Sequence, residues 1–215
     1  NEVIDIYGYE YNSVDKDELI IGLNDEENVI NVYYTKKDAK VVVSYYEEGT
    51  TNKVSEDVEI AGKVLDEYET KLAEDVPSKY ELVAEPENKT GTMTEEEITV
   101  IYYYRKKATK VIVHYYEENT TTKLSEDVTI NGKVDDSYTT VSATDVPIKY
   151  ELIETPSNAN GSMTEATIEV IYYYRVKDAV VHVRYLEKGT EKVLADPDRI
   201  DGKVDDDYQT SAKEI

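Results

Sequence analysis

The chain has 215 residues, 40% of them apolar, with 24 Lys and Arg against 47 Asp and Glu and a formal net charge of −23. That surplus of acid argues against a nucleic-acid backbone or an anionic membrane as partner, because phosphate binding needs Lys and Arg. The lack of cysteine removes disulfides and thiolate metal sites, and no apolar run is long enough to span a bilayer.

The chain begins at Asn1 without signal peptide or initiator Met, and is expected to be a mature or trimmed piece of something longer. Its organising feature is a 70-residue period. Ile101-Tyr102-Tyr103-Tyr104-Arg105 returns unchanged at 171–175, and a weaker echo, Asn31-Val32-Tyr33-Tyr34-Thr35, precedes it at the same spacing. A period of this length marks an array of small modules. Four segments follow: a diverged or partial repeat at 1–40 matching the second half of the unit, complete copies at 41–110 and 111–180, and a first half at 181–215. The complete copies are identical at more than half of their positions. In the first segment Tyr9-Glu10-Tyr11 is aligned with Lys79-Tyr80-Glu81.

Comparing the copies assigns the strand faces. Val41/Val111/Val181, Val43/Val113/Val183 and Tyr45/Tyr115/Tyr185 do not change, while the residues between them, Val42/Ile112/His182 and Ser44/His114/Arg184, range from apolar to charged. Alternate tolerance is the period-2 mark of a strand with one buried face. In the closing strand Ile30/Val100/Val170, Val32/Tyr102/Tyr172 and Tyr34/Tyr104/Tyr174 are expected to face the core. Its other face, with Ile101/Ile171 and Tyr103/Tyr173, is too apolar to be fully solvated.

Between these strands, Glu48-Gly49, Glu118-Asn119 and Lys188-Gly189 predict a hairpin turn. A second strand passes through Val58/Val128 and Ile60/Ile130/Ile200 to the motif Gly62-Lys63-Val64…Tyr68. The polar stretches 70–75 and 140–145 predict one or two helical turns closed by Pro77 or Pro147. A third strand holds Tyr80/Tyr150 and leads through Pro86/Pro156 and Asn88/Asn158 to Gly91/Gly161. The fold class is therefore mostly β (α+β), in tandem small modules with a short helix. Connectors of about five residues without glycine predict an elongated, stiff rod. The composition suits thin sheets: 21 Tyr and no Phe or Trp, a side chain that buries its ring while its hydroxyl finds a partner.

These motifs, taken together and in this order, resemble the MucBP (mucin-binding protein) repeat of Gram-positive surface proteins, over essentially the whole chain. The resemblance implies a β-grasp-like (ubiquitin-like) module carried on a cell-wall-anchored, extracellular parent protein, with host mucin glycans or glycoproteins as partners. The sequence departs from the family where a second motif Gly is common (Leu65, Asp135, Asp205 here) and where Gly is common before the third-strand Tyr (Lys79, Lys149 here). Both positions concern backbone turns.

No catalytic constellation is legible. His114 and His182 lie at different positions of the repeat, and no Ser or Thr has a base nearby. Glu95-Glu96-Glu97 becomes Glu165-Ala166-Thr167, unlike a paired-carboxylate site. Asp135-Asp136 and Asp205-Asp206-Asp207 suggest weak Ca²⁺ binding at most, and no cofactor is predicted. An isopeptide bond from Asn88 or Asn158 is not predicted either. The candidate ligand-binding residues are Tyr103, Tyr173, Ile101 and Ile171. The alternative, which is preferred, is that this stripe packs under the short helix or against the next repeat.

Function is expected to be non-enzymatic: a stalk and adhesion segment binding mucin or glycoproteins weakly at several sites. The alternative is a structural spacer or a fibre subunit joined head to tail through complementary half-repeats. A monomer is expected, without membrane insertion.

Overall fold

The computed structural model describes residues 4–214. Apart from one 3-10 turn at Asp25–Glu27, the described residues form strands and their connections. The chain divides into two compact units with the boundary after Lys107.

In the first unit, β1 (Tyr9–Val14) and β2 (Val32–Lys36) form an antiparallel pair. There follow β3 (Asp38–Glu47), β4 (Lys53–Lys63), β5 (Glu67–Glu69), β6 (Tyr80–Ala84), β7 (Thr90–Thr92) and β8 (Ile98–Lys106). The main sheet has the order β4-β3-β8-β6; β3 and β8 run parallel at its centre, and β5 pairs with β7 in a small second sheet. The second unit repeats this with β9 (Ala108–Glu117), β10 (Val128–Lys133), β11 (Ser137–Thr139), β12 (Tyr150–Leu152), β13 (Asn160–Ser162) and β14 (Ile168–Val176). Its main sheet is β10-β9-β14-β12, again with a parallel central pair. The pair β15 (Asp178–Leu186) and β16 (Val193–Lys203) ends the chain.

The strand faces follow the copy-to-copy comparison. Val41, Val43 and Tyr45 on β3, with Val100, Tyr102 and Tyr104 on β8, are all at most 5% exposed, and their counterparts on β9 and β14 behave alike. Burying each Val side chain contributes about 1.5–3 kcal/mol. Tyr45 stacks on Tyr102 at 5.6 Å between centroids and Tyr115 on Tyr172 at 5.7 Å. The expectation fails at the start of β2, where Val32, and Ile30 just before the strand, are exposed. There the sheet has two strands only, so no opening strand lies alongside to cover them. On β15, Val181 and Val183 are half-buried for the same reason.

No helix forms over 70–75 or 140–145. Both stretches cross the buried sheet face extended, and tyrosine hydroxyls and facing loops take up their backbone groups. Tyr45 Oη donates to Lys71 O at 2.9 Å, and Tyr115 Oη to Val141 O at 3.2 Å. The Ala143 N–H donates to Tyr174 Oη at 3.0 Å. Thr70 N–H donates to Lys89 O at 2.8 Å, while the Thr70 hydroxyl shares a 2.8 Å hydrogen bond with the Tyr102 hydroxyl. Each such bond contributes about 1 kcal/mol net, and together they replace the i→i−4 ladder a helix would supply. This accounts for Tyr in place of Phe, which would fill the same volume and leave the crossover backbone unpaired.

Two turn positions explain the motif spacing. Gly49 (φ 73°), Asn119 (φ 60°) and Gly189 (φ 90°) all adopt the left-handed conformation expected of the hairpin turn. The turn after Gly62-Lys63-Val64 closes from Asp66 N–H to Lys63 O at 3.0 Å and places Leu65 at φ 71°, with Asp135 at 71° and Asp205 at 72°. A turn with φ > 0 at its third residue calls for Gly, so Leu65 sits where a side chain is strained. Gly62 and Gly132 are required for another reason: a Cβ there would lie 2.6 Å from the Met93 or Met163 sulfur.

Connectors are shorter than expected. Only Lys37, Lys107 and Lys177 separate β2 from β3, β8 from β9 and β14 from β15. Within the first unit, Lys37 donates its N–H to Gly8 O at 2.9 Å and accepts from Val64 N–H at 3.0 Å. Within the second, Lys177 donates to Lys149 O at 2.9 Å and accepts from Val204 N–H at 3.0 Å. The register of β1 also differs by one residue from the alignment of Tyr9 with Lys79. Tyr9 pairs with Lys36 as Tyr80 pairs with Lys106.

Candidate functional site

The outer sheet face carries the four candidate residues. Alternation along β8 and β14 places Ile101 and Ile171 half-buried, and leaves Tyr103 and Tyr173 each 42% exposed. The helix expected to cover this stripe is absent, and the crossover lies on the opposite, buried face. Arg105 and Arg175, two residues further on, pair with Glu81 at 2.8 Å and Glu151 at 2.7 Å.

In the second complete copy Ile171 and Tyr173 line an open groove of about 590 Å³. One wall is the hairpin turn Glu118-Asn119-Thr120, and the other runs from Ile153 and Glu154 through Pro156 and Ser157 to Asn158. Glu118 N–H donates to Tyr174 O at 2.8 Å and Ile153 N–H to Tyr173 O at 3.0 Å, which pins both walls to β14. Asn158 Nδ2 donates to Glu169 O at 2.9 Å and its backbone carbonyl accepts from Tyr138 Oη at 3.1 Å. Asn88 Nδ2 likewise donates to Thr99 O at 3.0 Å, so a structural hydrogen bond accounts for the recurring Asn. The sequence marked Tyr173 and Ile171 but not these walls. The signal that points to them is a difference between copies: Glu154 and Asn119 stand where the first copy has Ala84 and Gly49.

The remaining polar clusters are structural. His114 Nδ1 lies 3.0 Å from Asp127 Oδ1, with Tyr116 stacked on the imidazole and Lys123 paired to the same carboxylate at 2.9 Å. The Lys123 hydrogen bond, then that of His114, holds the Asp127 carboxyl below its ordinary range against the desolvation that raises it. In the first copy the buried Ser44 takes the place of His114 beside Asp57. His182 is exposed. Asp66, Asp136 and Asp206 each accept the backbone N–H three residues earlier, at 3.0, 2.7 and 2.6 Å, and Asp205 pairs with Lys149 at 2.8 Å. Among the described residues no three His, Cys, Asp or Glu side chains are grouped to hold a metal ion. Glu95 accepts from Gly8 N–H and from Lys37, both at 2.8 Å, and Glu97 pairs with Lys40 at 2.8 Å.

Among the described residues no helix is long and apolar enough to cross a membrane. The MucBP domain model matches residues 40–105, 110–175 and 180–215. Internalin J of Listeria monocytogenes serotype 4b (strain F2365) is 34% identical over 180 residues, 81% of this chain and 19% of that protein. Internalin J of serovar 1/2a (strain EGD-e) is 38% identical over 96 residues, covering 43% of this chain and 11% of its own length. The chain thus spans about a fifth or less of these relatives. Among solved structures, the Bacillus anthracis TIE protein aligns with a TM-score of 0.50 at 12% identity, over 82% of this chain and 47% of that one, a likeness of fold alone. The type 2 repeat of the mucus binding protein MUB from Lactobacillus reuteri aligns with a TM-score of 0.28 at 14% identity, over 65% of this chain and all of that one. With family matches over most of its length, spaced at the period of its sheets, the chain belongs to the MucBP domain family.

Proposed function

We propose that the chain is a non-enzymatic tandem-repeat segment of an extracellular, cell-wall-anchored bacterial surface protein, which spaces and displays weak binding sites for host mucin glycans or glycoproteins. The observation that carries this reading is the open groove on the outer face, floored by Tyr173 and Ile171. Tyr103 and Ile101 stand at the same register in the preceding copy. Exposed Tyr offers a flat apolar ring with a polar tip, and a concave site with a few polar groups is where small ligands bind. Sites on successive copies act together through effective concentration.

The domain reading belongs to this proposal: a partial copy at 1–40, complete copies at 41–110 and 111–180, and a partial copy at 181–215. So does the β-grasp-like description, which the order second-first-fourth-third with parallel central strands supports, with an extended crossover replacing the helix. A mucin-glycan array probed with the wild-type chain and with Tyr103→Ala plus Tyr173→Ala tests the function; saturable binding lost in the double variant is expected.

A purely structural role, as a spacer or a head-to-tail fibre subunit, is the second reading. The one-residue connectors, hydrogen-bonded on both sides, favour a spacer. The half-buried Val181 and Val183 on β15 favour pairing with a further strand. Light scattering across concentration separates the two: a monomer is expected, and growth into long particles supports the fibre.

A further inference from the structure

The groove has a sign. Its walls carry two exposed carboxylates, Glu118 and Glu154, and no Lys or Arg lines it among the described residues. Arg175, two residues beyond Tyr173 on β14, is already paired with Glu151 at 2.7 Å and feels Glu118 as well. Around the site the whole chain carries a net charge of −23. An anion entering here would meet two carboxylates and no free cation, and like charges brought together without compensation are a strong device against wrong partners. A neutral sugar meets no such barrier. Its apolar face can lie on the Tyr173 ring beside Ile171, while its hydroxyls donate to Glu118 and Glu154 and exchange hydrogen bonds with the amide of Asn119.

We infer that the groove of the second complete copy takes an uncharged hexose or N-acetylhexosamine of a glycan and disfavours sialylated and sulfated ones. This rests on the glycan-binding reading above and names its ligand class. It is stated for the second copy, whose groove is lined by Glu118, Asn119 and Glu154; the first keeps a carboxylate at Glu48 but has Gly49 and Ala84 at the other two places.

The test is titration of the 215-residue chain at low salt with N-acetyllactosamine and with its sialylated counterpart. Saturable binding of the neutral glycan, and binding of the sialylated one weaker by about tenfold, is the expected result for charges meeting in a solvated site. The difference should shrink as salt is raised to screen them. Glu118→Gln plus Glu154→Gln should close most of the gap by admitting the sialylated glycan, with neutral binding retained. Tyr173→Ala should remove most of the neutral binding, and Tyr173→Phe, which keeps the ring and the fold, should retain it. Equal or tighter binding of the sialylated glycan overturns the inference and leaves glycan binding standing. Binding of neither overturns both, and neutral binding indifferent to Tyr173→Ala removes the site from this groove.

Discussion

In the first complete copy β6 runs on to Ala84, which pairs with Tyr103; in the second, β12 stops at Leu152 and Glu154 stands on the wall of the groove beside Tyr173. The inner faces of the two sheets are nearly interchangeable, with the same Val and Tyr residues buried and the same hydroxyl bonds from Tyr45 and Tyr115 to the crossover, although Tyr174 Oη accepts from Ala143 N–H whereas the buried Tyr104 Oη has no such bond. Their outer faces are not. A packed inner face fixes which side chains the sheet tolerates, whereas an exposed face and its loops are free to change. Two modules with one core can therefore present different surfaces, and a tandem array need not repeat its binding site.

The largest effect expected of this shared core is alkaline unfolding. Burial, with smaller contributions from neighbouring groups, raises the phenols of Tyr45 and Tyr104 in one copy and of Tyr115 and Tyr174 in the other. A phenol that titrates higher in the folded than in the unfolded chain stabilises the fold fully below its unfolded value. That contribution is lost as pH rises through the folded value, so stability should fall above about pH 10. Circular dichroism against pH should show both copies unfolding over one range; a copy that persists breaks their equivalence.

Gly62→Ala and Gly132→Ala come next. Each forces a Cβ into the methionine sulfur of its own copy and should cost about 1–3 kcal/mol, by equal amounts in urea titrations. Markedly unequal costs would show that the two cores are packed differently.

Leu65→Gly acts in the opposite direction. It relieves a left-handed residue and should stabilise the first copy by about 1 kcal/mol. Asp135→Gly should gain less, since Asp tolerates that conformation better than Leu. A destabilising Leu65→Gly would show that the Leu65 side chain contributes more than its turn conformation costs.

The smallest effect belongs to the exposed ion pairs. Lys36→Ala, which removes the 2.8 Å contact to Asp66, should leave the urea midpoint within measurement error, because surface pairs are screened and entropically costly.

The strand faces were legible because duplication supplied a comparison: Val41, Val111 and Val181 stay Val while Ser44 becomes His114 and Arg184. The crossover was not legible. A short polar stretch with one Ala reads as helix, and what keeps it extended is hydroxyls about 30 residues away in sequence, Tyr102 on Thr70 and Tyr174 on Ala143. The same holds for β2, where Val32 has the pattern of a core residue but no opening strand beside it. At the candidate site the floor was legible as an aromatic–aliphatic stripe on alternate positions. The walls are loop residues, whose placement depends on where a strand ends, and what marked them was exchange between the copies, as of Ala84 for Glu154 and Gly49 for Asn119.

The most direct test of the account compares Tyr173→Ala with Tyr103→Ala on immobilised mucin, each against the wild-type chain. The account predicts that Tyr173→Ala removes most of the binding and Tyr103→Ala a smaller part, with both variants folded by circular dichroism. Undiminished binding in both would contradict it, and would place recognition elsewhere than on the outer face of these sheets.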